Sequence, residues 1–299
     1  MKALTVISCL LFLLPALINA QESSDSSNPS AENAAFEEFI GSLEWQNEGT
    51  GELKDWATID IPSGFNFLNG ADADKLMQQF GNLPDEYEGM IAVDSLEWFV
   101  LFQFDDSGYV KDDEKDDLNA DKMLKSMKES DVANNEYRQS QGLETLNTEG
   151  WAVEPQYNRE TNNLEWGVIL RSGSGERSVN YNTKLLGRNG VMHVTLVCDP
   201  SILENVLPTY QNSLKGFSYK EGKAYAEYRK GDKVAAYGLT ALIAGGALYG
   251  AAKLGFLAKF ILFFKKGFKV IIIGVIAIFV GIKKFFARIT GGESKGRIS

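Results

Sequence analysis

His193 is the only histidine in this 299-residue chain, and Cys9 and Cys198 are its only cysteines. Cys9 falls in the N-terminal leader described below, which leaves one thiol and excludes an internal disulfide framework. A Cys/His zinc site needs three or four such ligands, and there is no His-x-x-x-His pair, so that chemistry is excluded as well. A Ser–His–Asp arrangement would have to run through His193, and no Gly-x-Ser-x-Gly elbow supports it. Alternation along residues 191–198 puts His193 on one face with Val191, Thr195 and Val197. It reads as a strand residue rather than a catalytic base.

Carboxylates are the abundant reactive groups. Asp105, Asp106, Asp112, Asp113, Glu114, Asp116 and Asp117 could take a hard cation such as calcium. Their spacing fails the EF-hand pattern, and the plainer reading is a solvated acidic loop leading into a helix N-terminus. Carboxylates this numerous leave no particular acid/base pair assignable. There is no Gly-x-Gly-x-x-Gly after a strand and no Walker lysine; Gly173 and Gly175 serve a turn. Nothing here asks for a cofactor or a metal. Trp45, Trp98, Trp151 and Trp166 read as core or sheet-face residues, with Trp151, Pro155 and Tyr157 forming the one cluster suited to a binding cleft.

The elements that must position these residues follow from periodicity. Phe36, Phe39, Ile40 and Leu43 predict an amphipathic helix over 34–45. Two short strands flank Pro62-Ser63-Gly64 within 57–67, and Asp72 or Asp74 can cap a helix to about Phe80. Strands are expected at 90–93 and 98–104, and a helix starts from Asn119 or Asp121 and runs to about Gln141. Four strands at 150–157, 164–171, 177–186 and 191–198 are separated by Asn162-Asn163, Gly173-Ser174-Gly175 and Asn189-Gly190, so they form an antiparallel meander. Asp199-Pro200 opens a helix over 201–214. The expected fold is α+β: an antiparallel β meander with packed helices in one domain, 34–222, followed by a C-terminal helical membrane anchor.

Both ends of the chain carry location signals. Residues 1–20 read as a signal peptide: Lys2, an apolar run over 3–14, Pro15 and an Ile18-Asn19-Ala20 ending. Residues 21–33 read as a disordered linker. After a juxtamembrane connection at 223–233, residues 234–252 are free of charge and give about 28 Å of helix against ~30 Å of hydrocarbon. Gly246 and Gly250 form a small-x-x-x-small pair suited to helix packing or a homo-oligomer. Residues 253–269 form a basic amphipathic helix, with Lys259, Lys265, Lys266 and Lys269 on one side facing lipid headgroups. Residues 270–289 are a second membrane segment, and 290–299 a tail.

Charge divides the same way. Residues 233–299 hold eleven Lys or Arg and one acidic residue, leaving nineteen against thirty-nine before them. A body that acidic argues against nucleic acid as a partner, whereas a basic apolar tail suits membrane lipids. The expected location is a membrane, with the main domain on its exported side. The expected role is non-catalytic binding or sensing of an envelope protein. An extracytoplasmic hydrolase using carboxylates and a membrane-remodelling tail are the alternatives.

Residues 151–157 (Trp-Ala-Val-Glu-Pro-Gln-Tyr), Asn180-Tyr181 with 186–190 (Leu-Gly-Arg-Asn-Gly), and 231–239 (Gly-Asp-Lys-Val-Ala-Ala-Tyr-Gly-Leu) resemble successive signatures of one bacterial family. Residues 108–113 (Gly-Tyr-Val-Lys-Asp-Asp) are similar to another of its motifs. The family is that of domain of unknown function 2167. The resemblance implies an exported bacterial protein with a C-terminal membrane anchor, and hence a place in the inner membrane with the main domain expected on the periplasmic side. It brings no established activity, hence no catalytic residue.

Overall fold

The computed structural model describes residues 29–115, 118–159, 161, 163–240 and 242–243. The expected signal peptide, the first part of the expected linker and the tail from 244 onward lie outside the described residues; so do Gly246, Gly250, Lys259, Lys265, Lys266 and Lys269.

Among the described residues, ten strands and four α-helices follow in the order α1 (Pro29–Ser42), β1 (Thr50–Leu53), β2 (Ala57–Asp60), β3 (Phe65–Asn69), α2 (Gly70–Gln79), β4 (Gly89–Val93), β5 (Trp98–Asp105), α3 (Ala120–Ser140), β6 (Leu146–Asn158), β7 (Asn163–Ser172), β8 (Arg177–Leu186), β9 (Val191–Cys198), α4 (Leu203–Ser213) and β10 (Phe217–Tyr219). The fold is α+β and antiparallel. One sheet has seven strands in the order β3-β4-β5-β9-β8-β7-β6, and a second has three, β1-β2-β10. The expected meander β6-β7-β8-β9 is present, and β9 also pairs with β5 along its whole length.

Side chains alternate across the large sheet, giving it two buried faces. On one face Val100, Phe102, Tyr181, Met192, Val194 and Leu196 pack with the small sheet and with Leu203, Val206 and Tyr210 of α4. The other face is covered in two parts. Leu68, Met90, Phe99 and Leu101 lie under Leu43, which follows α1, and under Ala73, Leu76 and Met77 of α2. Leu164, Trp166, Val168, Leu186 and Val191 lie under Met123 and Met127 of α3 and under Leu239, Leu242 and Ile243.

Several boundaries differ from expectation, each for a local reason. The helix expected over 34–45 takes in the linker from Pro29, a residue tolerated in a first helical turn, and stops at Ser42. Asn69 caps α2, accepting from Asp72 N at 3.1 Å, and Asp72 instead sits in the first turn and accepts from Glu44 N at 3.0 Å. Asn119 does cap α3, accepting from Lys122 N at 2.9 Å. Asp199 accepts from Ser201 N at 2.7 Å, but this closes a turn and α4 begins only at Leu203. The strand β6 is longer than expected, with register shifts between Thr148/Gly150, Trp151/Val153 and Val153/Gln156. Its first residues are tied to α3: Asn135 accepts from Leu146 N at 2.8 Å, and Asp131 from Thr148 N at 2.7 Å.

Residues 223–240, 242 and 243 stay on the domain. Ala224 bridges to Gly187, Val234 bridges to Tyr109, and all the described elements belong to one compact unit, Met1–Leu248. The helix expected to start at 234 is not helical at 234–238; helical residues begin at Leu239. Gly238 O accepts from Leu242 N, closing the first helical turn.

Candidate functional site: a buried lysine–histidine pair beneath the C-terminal segment

Lys184 of β8 and His193 of β9 are register partners. The Asn189-Gly190 turn fixes that register, because Leu186 pairs with Val191 and each step inward pairs the next two residues. Gly190 is needed there: a Cβ would lie 1.9 Å from the Asp105 carbonyl oxygen. Partnered residues share a face, and Lys184 Nζ lies 2.7 Å from His193 Nδ1. The Trp166 ring of β7 stands 5.1 Å from the amine, which is only 3% exposed as a residue.

Burial sets the electrostatics. It pushes the Lys184 amine down to about 7, with the Asp105 carboxylate pulling the other way. Burial, and then the charge of Lys184, hold His193 well below its ordinary range. The pair therefore shares at most one proton near neutrality, and the imidazole stays neutral. Nε2 of His193 has no hydrogen-bond partner among the described residues, and neither do Nε1 of Trp166 and Nε1 of Trp151. Polar neighbours continue across the central strands. Gln103, opposite His193 on β5, donates to Asp85 at 2.7 Å, and Thr195 donates to Asn182 at 3.3 Å.

The roof over this face comes from far along the chain. Tyr109 N donates to Lys233 O at 2.8 Å, and Tyr109 O accepts from Ala235 N at 2.9 Å. Lys233 Nζ donates to Asp106 O at 2.6 Å, and Tyr237 Oη donates to Asp105. Glu114 accepts from Thr240 N at 2.8 Å, so a carboxylate of the acidic loop supplies the cap for the helix that starts at Leu239. Gly108, at φ +99, lets the loop approach; a Cβ there would lie 2.7 Å from the Lys233 carbonyl oxygen. Behind the roof, Arg188 grips Asp232 through Nε and Nη2 at 2.7 and 2.9 Å. Tyr225 Oη donates to Val110 O at 3.1 Å, and Tyr109 stacks on Tyr225 at 4.5 Å.

The acidic loop is thus a docking strip, not a merely solvated run. Among the described residues, no group of three or more His, Cys, Asp or Glu converges to hold a metal ion. Asp112 instead accepts from Tyr157 Oη and from Lys115 Nζ, each at 3.1 Å. Burial alone would raise its carboxyl, but these two donors leave it below the usual range.

Trp151 and Tyr157 both pack against the cluster under α3 and residues 239–243, and Pro155 lies at a register shift between them. The structure therefore brings Trp151 and Tyr157 to the same cluster as Trp166. Lys184 was invisible to a search for catalytic motifs. Its signal was nonetheless present: counting back from the Asn-Gly turn places a lysine opposite the only histidine. A neutral amine bonded to an imidazole can act as a base or attack a carbonyl. Here both groups are enclosed.

No curated protein matches the chain. Among solved structures, it is similar to the solution structure of cyanobacterial PsbP (CyanoP) from Synechocystis sp. PCC 6803, at 12% identity and a TM-score of 0.34. That likeness covers 66% of this chain and 98% of the other. A family model described as protein of unknown function (DUF2167) matches residues 46–279, which include every segment on which the resemblance rested. The strip at 108–113, the edge at 151–157, the hairpin at 180–190 and the roof at 231–239 all fall inside that match, and the chain belongs to the DUF2167 family.

Proposed function

We propose that this protein is a non-catalytic binding or sensing module, tethered by its C-terminal tail to the bacterial inner membrane with its α+β domain on the periplasmic side. The observation that carries this reading is the docking of residues 233–243. The segment leading into the apolar tail is held on the domain by backbone pairing, a carboxylate cap and buried leucines, so that a change at either end is felt at the other. A passive tether would leave through a free linker. The charge-free run, the lysine-faced helix carrying Lys259, Lys265, Lys266 and Lys269, and the leader at 1–20 support the location. In this reading Gly246 and Gly250 serve helix packing, and the partner is an envelope protein met by the exported domain.

The test is proximity labelling from an enzyme fused in the 21–28 region of the full chain. Biotinylation of periplasmic and outer-face membrane proteins is expected. Labelling confined to cytoplasmic proteins would overturn the reading.

A further inference from the structure

Leu239, Leu242 and Ile243 are 0–3% exposed within the domain, yet they also belong to the charge-free run 234–252 that the membrane reading needs as a span. They cannot occupy both places. With 239–243 docked, only nine charge-free residues remain before Lys253, about 14 Å of helix against ~30 Å of hydrocarbon. We propose that residues 239–243 exchange between the domain and the bilayer, and that their withdrawal into the bilayer uncovers Lys184 and His193.

The inference rests on the membrane reading above and adds a moving part to it. The docked arrangement suits a reversible contact. What the segment leaves behind is a face lined by Val110, Met123, Leu164, Trp166, Leu186 and Val191, and Lys184 stands in register between Leu164 and His193 on the same strands. What the segment enters is equally apolar, so burial of its leucines is largely conserved in the exchange. Docking is favoured by the apolar face that withdrawal would wet and by a few polar contacts, chiefly those of Glu114 with Thr240 N and of Tyr237 with Asp105, and it is opposed by the apolar length that a thick bilayer demands. An element with two comparable environments is what a two-state coupling requires. Bilayer thickness biases it, because a thicker hydrocarbon layer demands a longer apolar span.

The experiment uses the full mature chain reconstituted in phosphatidylcholine vesicles of short or long acyl chains. A water-soluble amine-acylating reagent is applied, and modification of Lys184 is measured by peptide mass spectrometry against exposed Lys125. The ratio is expected to rise several-fold from short to long chains, and Glu114→Gln is expected to raise it in the short-chain vesicles. A chain that fails to co-sediment with vesicles overturns the membrane reading and this inference together. A chain that co-sediments with a ratio independent of acyl length overturns the exchange alone, whatever the variant does.

Discussion

The two covers on the helix-side face of the large sheet are built differently. The N-terminal one joins residues between Leu43 and Leu101, and the carboxylate buried with it, Asp72, is paired with Glu44 N and Lys75 Nζ. Its tryptophan is satisfied, since Trp45 Nε1 donates to Ile40 O at 3.0 Å. The other cover joins residues from Val110 to Ile243 and surrounds a buried amine. Nε1 of Trp151 and of Trp166 and Nε2 of His193 have no partner there among the described residues. Buried polar groups left unpaired carry the full cost of desolvation. The comparison teaches that one cover is for holding the fold and the other is poised at the low end of local stability.

That contrast can be broken most easily by deleting a leucine from each cover. Leu76→Ala should cost about 2–5 kcal/mol, the range for a leucine fully buried in a close-packed cluster. Leu242→Ala should cost the detergent-solubilised chain well under half of that, because micelle and domain offer the side chain similar surroundings. Urea midpoints measured on both variants decide it; equal losses would erase the distinction. Next in size is the pair itself. His193→Leu leaves the Lys184 amine buried without its partner and should cost about 1–3 kcal/mol. Adding Lys184→Met should restore most of that loss, since an apolar pair of similar volume needs no hydrogen bond.

An effect of similar size is expected in pH dependence. The Lys184 amine is near 10.5 when unfolded and about 7 when folded, so between those values the unfolded chain binds the extra proton. Stability therefore rises as pH increases from 7. Below pH 6.5 His193, neutral in the fold, adds a contribution of the same sign. Cys198, which burial raises from 9.0 to about 12, acts oppositely once pH passes 9, and Tyr219, also raised by burial, does so above 10. The clean window is pH 7 to 9. Melting temperature should climb across it in the parent chain and stay flat in Lys184→Met.

Much of the sheet was legible in the sequence because turn chemistry is local. Gly173-Ser174-Gly175 and Asn189-Gly190 announced the hairpins β7-β8 and β8-β9, and period-two alternation marked their faces. The pairing of β9 with β5 was not legible, since strands some ninety residues apart carry no mutual signal. The cap of α3 at Asn119 was legible, whereas that of α2 was displaced by competition: Asp72 serves the backbone of Glu44 and Asn69 takes the cap. The site was missed for a similar reason. Charge along 105–117 predicted solvation, but a carboxylate such as Glu114 can equally cap a helix that arrives from 126 residues away. Apolarity over 234–252 announced a helix, and it could not announce that the run is approached through bends at 234–238 pinned to Tyr109.

The build of β6 has a consequence for molecules crowded together on a surface. It is the outermost strand of the seven, thirteen residues long, and a flat strand of that length would offer its free backbone groups to a neighbouring chain. Here Asn135 and Asp131 of α3 already occupy the amides of Leu146 and Thr148. Beyond them the strand is bent by three register shifts, and Pro155 has no amide to give. Strand addition is disfavoured along this margin, which keeps β6 from being the edge at which crowded copies of the domain would join.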